Sequence, residues 1–185
     1  MISIVKQTAE FYLQKMRAPK IDELEINKSE YLTTKWSCFV TIFLNWEVRG
    51  WAGNIKEIKN SIAEELIENT IEAITKDSRF EKLTIWESKN IKIRVDLITN
   101  RKVLARTDDQ AKAKIETVSK IDPIKNWIIV IKKDYTNTTT ILPNIDTKII
   151  TWKDYTDILT AKLWEKFDEN KYIIYEIETK QKNDY

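Results

Sequence analysis

The sequence predicts an α+β fold with largely antiparallel strand pairing. Segments rich in β-branched and aromatic residues stand side by side, as in "CFVTIFL" at 38–44 and "VRGWA" at 48–52, and a short polar break between two such runs signals a hairpin. Isolated amphipathic helices interrupt these strand pairs, which is the pattern of an α+β domain. Apolar residues make up 42% and charged residues 32% of the 185 positions, enough to bury a core and unlike a disordered or membrane-embedded chain.

Val5, Ala9, Tyr12, Leu13 and Met16 recur at helical spacing with Pro19 just beyond, so the chain opens with an amphipathic helix. In "TKWSCFVTIFLNW", Trp36, Cys38, Val40, Ile42 and Leu44 share one face, and Phe39 and Phe43 lie on the other. Apolar residues on both faces predict a central strand. After the polar break Asn45–Glu47, "VRGWA" reads as its hairpin partner. Ser61 and Glu64 form a capping box that opens the clearest helix, over 61–76. Its apolar stripe is Ile62, Leu66, Thr70 and Ile74, joined by Ala63, Ile67 and Ile71. "IKIRVDLI", "NWIIVIKK", "TTTILP" and "KYIIYEIET" read as further strands, and "WKDYTDILTAKLWEKF" as a late helix carrying Tyr155, Ile158, Leu159, Leu163 and Phe167. Residues 106–123 are charged and weakly periodic, a loop with one helix at most.

Composition excludes much chemistry. With no histidine and one cysteine, Ser-His-Asp and Cys-His nucleophile systems, His-ligated zinc and an internal disulfide are absent. No P-loop, G-x-S-x-G or C-x-x-C pattern occurs. No metal and no cofactor are expected, and any acid or base must be a carboxylate, a lysine, a tyrosine or the lone thiol. The net charge of +2 lacks the basic excess of a dedicated nucleic-acid binder. No apolar run approaches a membrane span, and "MISIVKQTAEFYLQKM" lacks a secretory signal's apolar stretch, so a cytoplasmic protein is expected.

Both glycines of the chain, Gly50 and Gly53, lie in "EVRGWAGN". One reading is structural: a positive φ, or the close approach of another backbone. The other is a ligand site in which Arg49 and amides beside the glycines hold an anion or small polar molecule. In "DSRF", Asp77 pairs with Arg79 or Arg49 to fix the chain's exit from the helix, or Asp77 and Glu87 join Arg49 in a cleft. Cys38 shares its face with Val40 and Ile42 and reads as a small buried hydrophobe. Glu64, Glu65, Glu68 and Glu72 read as a solvated helix surface. Trp46 and Trp51 flank the motif and are placed to stack on a planar ligand or a partner.

Three stretches, in order, carry a resemblance: "CFVTIFLNWEVRGWAGN", then "SIAEELIENTIEAITKDSRFEKLT" followed by "WE", then "TTTILPNI" with "W" and "AKLW" after it. Together they resemble the AMMECR domain family, named for the Alport syndrome, midface hypoplasia and elliptocytosis chromosomal region. The family pattern is an F-V-T-L strand, L-R-G-C-x-G, a helix ending in D-x-R-F, then L-L-P-Q and a tryptophan. The resemblance implies one α+β domain over 1–185, in two unequal lobes without a marked internal boundary, and no established activity. The chain departs from the pattern at Val48, at Trp51 in place of the motif cysteine, and at Ile141-Leu142-Pro143-Asn144. A nucleophile role for that cysteine therefore does not carry over.

The expected site gathers Arg49, Gly50, Trp51 and Gly53 at the rim of a cleft, with Asp77, Arg79, Pro143 and Asn144 nearby; no catalytic residue is assigned. Two function classes stay open. One is a small-molecule site, enzymatic or not; the other is a non-enzymatic regulatory or adaptor module that docks a protein partner.

Overall fold

The structure, a computed structural model, describes residues 1–105, 121–122, 126–134, 136–141 and 151–185. The chain divides into two units, Met1–Ile98 with Lys180–Tyr185, and Thr99–Thr179. It passes out of the first unit within strand β3 (Lys92–Ala105) and returns within β6 (Tyr172–Asn183). Both crossings lie inside continuous strands, so no Pro- or Gly-rich linker marks them in the sequence.

In the first unit, helix α1 (Ile2–Lys15) buries Ile4, Val5, Thr8 and Ala9 and packs on α3 (Ile62–Thr75). The apolar stripe of α1 stops before Met16, which caps the helix in the left-handed region and is 72% exposed. A short helix α2 (Glu30–Thr33) precedes β1 (Cys38–Leu44). Trp36, expected on the buried strand face, lies before β1 at the surface. Strand β1 is central: it runs antiparallel to β2 (Glu47–Gly53) on one side and to β3 on the other. Leu44 pairs with Glu47 across a two-residue turn, Asn45–Trp46, with both φ values positive. That is the twist a tight hairpin needs, and it is met here without glycine.

Helix α3 follows the predicted phase. Ser61 Oγ accepts from the Glu64 N–H at 3.3 Å, and the Glu64 carboxylate accepts from the Ser61 N–H at 3.2 Å. Leu66 is fully buried with Ile62, Ala63 and Ile74, among Cys38, Val40 and Ile42 of β1 and Ile93 and Val95 of β3. Each such side chain contributes about 1.5–3 kcal/mol by leaving water. One residue breaks the expectation of a solvated acidic surface: Glu65 is 1% exposed.

In the second unit, β4 (Trp127–Lys132) lies between β5 (Thr138–Ile141) and β6, antiparallel to both. Helix α4 (Trp152–Leu163) opens on a second capping box, Thr151 with Asp154. Its Tyr155, Leu159 and Leu163 pack with Ile128, Val130, Ile141, Tyr172 and Ile174. The fold is α+β with antiparallel pairing, as the sequence predicts. The reading of 106–123 as a loop falls almost wholly outside the described residues.

Candidate functional site

Neither glycine has a positive φ; both answer to close approach. A Cβ on Gly50 would meet the Ala73 carbonyl oxygen of α3 at 1.9 Å, so the bare backbone lets the helix settle onto the sheet. Gly53 pairs with Phe39, and a Cβ there would lie 2.3 Å from the Phe39 ring and 2.5 Å from the Cys38 carbonyl oxygen. Phe39 covers Gly53 and stacks on Trp51 at 4.8 Å with an interplanar angle of 5°. Trp51 thus has its stacking partner within the chain. Trp46, by contrast, is 71% exposed at the hairpin tip, edge-on to Tyr185.

Pairing steps from Ile42↔Gly50 to Phe43↔Val48, which leaves Arg49 as an extra residue on β2. Such a bulge re-aims a side chain. Arg49 turns to the 81–87 segment, donating to the carbonyls of Glu81 and Lys82 and to Glu87, with Nε–Oε1 at 3.3 Å. Burial alone would raise the Glu87 carboxyl, but the Thr84 N–H and hydroxyl and the Arg49 charge outweigh it and hold it below its ordinary value.

At the other end of β2, Asp77 follows α3 and accepts the Trp51 N–H at 3.0 Å. Arg79 grips the same carboxylate through Nε at 2.9 Å and Nη2 at 2.6 Å. Burial pushes Asp77 up, yet the Arg79 guanidinium and the two backbone N–H donors bring it below the usual range. The guanidinium carbon stands 5.9 Å from the Trp51 ring centroid and 5.3 Å from that of Phe80, within cation–π range. A shallow depression of about 370 Å³ opens here, lined by Trp51, Ala52, Gly53, Asp77, Ser78 and Arg79 with Glu72 and Lys76. Of the expected site residues, Trp51, Gly53, Asp77 and Arg79 therefore come together. Arg49 and Gly50 share the strand but face elsewhere, and Pro143 and Asn144 lie outside the described residues.

Against this geometry, the AMMECR1 family model matches residues 2–179. The chain belongs to the AMMECR1 family. A Methanosarcina mazei protein, whose name states no activity, is 24% identical over 115 residues, 62% of this chain. The chain spans only 57% of that relative's length. The crystal structure of an uncharacterised protein from Pyrococcus horikoshii shares the fold, with a TM-score of 0.74 at 18% identity, covering 96% of this chain and 86% of that one.

Within this AMMECR1 chain, polar groups lie under the motif: Glu65, which the sequence places on a solvated surface, and Asn54 and Asn69, to which it assigns no role. Asn54 donates to Glu65 at 2.8 Å and to Asn69 at 3.3 Å, and Asn69 donates to the Cys38 carbonyl at 3.1 Å. Glu65 and Asn69, one helical turn apart, interrupt the acidic face with a short amide, and that spacing was the available signal. Burial pushes the Cys38 thiol up to about 12, so it behaves as the small buried group its strand face predicts. On the opposite face of β1, Thr41 Oγ1, Asp96 Oδ1 and Trp51 Nε1 are buried without a hydrogen bond among the described residues. Among those residues no cluster of three metal-ligating side chains occurs and no helix is long and apolar enough to cross a membrane.

Proposed function

We propose that the depression beside Trp51, Gly53, Asp77 and Arg79 binds a small molecule carrying a carboxylate or phosphate, with Arg79 as the contact for its negative charge. The observation that carries this reading is the state of Arg79. Asp77 occupies Nε and Nη2, Nη1 makes no hydrogen bond among the described residues, and the side chain is 59% exposed in a depression. A guanidinium pre-set by a carboxylate retains donors in a fixed plane and loses little entropy on meeting an anion. Asp77, held ionised, orients Arg79 and is poorly suited to shuttle a proton, so the reading is one of binding. The bulge at Arg49 and the bare contact at Gly50 set the strand that presents the site.

The test is a thermal-shift series with succinate, with sodium chloride at matched ionic strength as the control. Wild type is expected to gain stability with concentration, as any ligand selective for the native state requires, and Arg79→Ala to lose that gain. Equal gains in both proteins would sink the reading. They would leave the second one, a docking module for a protein partner, which rests on the exposed Trp46 at the hairpin tip.

A further inference from the structure

A different part of the first unit gathers positive charge. A pocket of about 160 Å³ is lined by Lys28, Lys180 and Lys182, with Tyr31, Trp36 and Leu97 among its walls and Glu30 as its one acidic residue. Lys180 and Lys182 are alternate residues of β6, so their side chains leave the same side of the strand about 6.6 Å apart. Lys28 comes from the segment before α2, and its ammonium lies 5.7 Å from the Tyr31 ring centroid.

What sets these lysines apart is that they share one concavity; within the unit, ion pairing varies from lysine to lysine. Lys6, Lys59 and Lys76 each have a carboxylate oxygen at 2.7, 2.9 and 2.9 Å. Lys28 has only Glu30 at 3.8 Å, with both side chains more than half exposed, and Lys180 and Lys182 have no ion pair among the described residues. Three ammonium groups around one concavity repel each other, and an aromatic and aliphatic wall lowers the local dielectric and strengthens that repulsion. A bound anion removes this cost, and a concave site focuses the field that attracts it.

We propose that this pocket is a second, independent anion site, which takes a small phosphate-bearing compound. Lysine ammonium groups act as point charges, suited to a multiply charged tetrahedral group and not to the planar fork of a carboxylate. The volume sets the size: it lies below the roughly 300–1,000 Å³ of pockets that enclose drug-sized ligands. The phosphate sits among Lys28, Lys180 and Lys182, and an attached organic group rests against Trp36, itself 36% exposed.

Calorimetric titration of the whole chain with inorganic pyrophosphate tests this, with sodium sulfate at the same ionic strength as the control for screening. Wild type binds pyrophosphate more tightly than sulfate, and the double variant K180Q/K182Q weakens pyrophosphate at least tenfold, with K28Q weakening it less. These side chains are exposed, so the variants retain the wild-type melting temperature in the absence of anion. R79A is the arm that separates the two sites: it leaves intact the pyrophosphate binding that K180Q/K182Q weakens. No binding to wild type, equal affinity for sulfate, unchanged affinity in K180Q/K182Q, or loss in R79A of the same binding that K180Q/K182Q weakens would each overturn the proposal.

Discussion

The side chain of Arg49 is 16% exposed and divides its donors among two backbone carbonyls and Glu87. That of Arg79 is 59% exposed, is gripped by Asp77, and stands beside aromatic rings with a nitrogen to spare. Both arginines meet a carboxylate next to β2, and both belong to motifs that read alike on paper, one basic residue beside one acidic partner. Their bonding separates them. Arg49 is committed to holding the 81–87 segment, and Arg79 is held in place while remaining open. The role of an arginine near a motif thus depends on how many of its five N–H donors the chain itself consumes.

The largest effect is expected on the Arg49 side, where the fold rests on backbone contact. Gly50→Ala places a methyl against the backbone of α3 at 1.9 Å, where no flexible side chain can yield. We expect a loss of about 3 kcal/mol, at the upper end of overpacking costs, read as a lower urea midpoint at unchanged slope. Gly53→Ala meets the Phe39 ring, which can swing, as well as the Cys38 carbonyl; a loss about half as large is expected. A larger loss at Gly53 than at Gly50 would reverse the picture of which end of the motif is structural. Next in size is Arg49→Ala, expected to cost about 2 kcal/mol because it removes charge-assisted bonds from a mostly buried group. The check is a double-mutant cycle with Glu87→Gln, in which the pair should show a coupling energy.

The strength of these expectations follows what was legible in the sequence. Periodicity in α3 and the two apolar faces of β1 fixed the helix phase and the central strand, because burial of Leu66 and Val40 allows only one orientation of each. The capping box at Ser61 was equally plain, being a local rule. The positions of Glu65 and Trp36 were not legible: burial of one carboxylate depends on Asn54 and Lys59 reaching it from a loop, with bonds of 2.8 and 3.1 Å, and local composition says nothing about that. The outward reach of β3 and β6 was hidden as well, since "TNRKVLA" and "KQKN" carry polar residues where strand patterns are sought. For the candidate site, the meeting of Trp51, Gly53, Asp77 and Arg79 could be guessed from the family pattern. The separate fate of Arg49 could not, because it turns on a one-residue bulge that shifts a side chain without leaving a mark in composition.

Acid sharpens the contrast at a smaller scale. The folded state holds Glu87 below its ordinary value of 4.5, so this carboxylate adds stability that is fully present above that value. The contribution is lost as pH falls through the lowered folded value. Part of that lowering comes from Thr84, which Arg49→Ala leaves in place, and part from Arg49; the stability gap between wild type and Arg49→Ala should therefore narrow between neutral and acid pH, leaving the part due to the Glu81 and Lys82 carbonyls. Urea unfolding of both proteins at the two pH values measures it. A gap independent of pH would mean that the carbonyls, and not Glu87, carry the Arg49 contribution.

The smallest stability effect belongs to Arg79→Ala, and it is the most informative. Its ion pair with Asp77 is largely exposed on the arginine side, and exposed pairs contribute about 0–1 kcal/mol. Asp77 keeps the Trp51 N–H, so β2 should retain its edge contact. The variant should thus melt within a few degrees of wild type, while its stabilisation by succinate disappears. Arg49→Ala should do the reverse, melting earlier and keeping the ligand-dependent gain. That crossed outcome separates a residue that builds the site from one that meets the ligand, since a merely structural Arg79 would lose stability without changing the response to anions. If instead Arg79→Ala unfolds the chain as readily as Arg49→Ala, both guanidinium groups are clamps, and the depression beside Trp51 has no free donor with which to hold an anion.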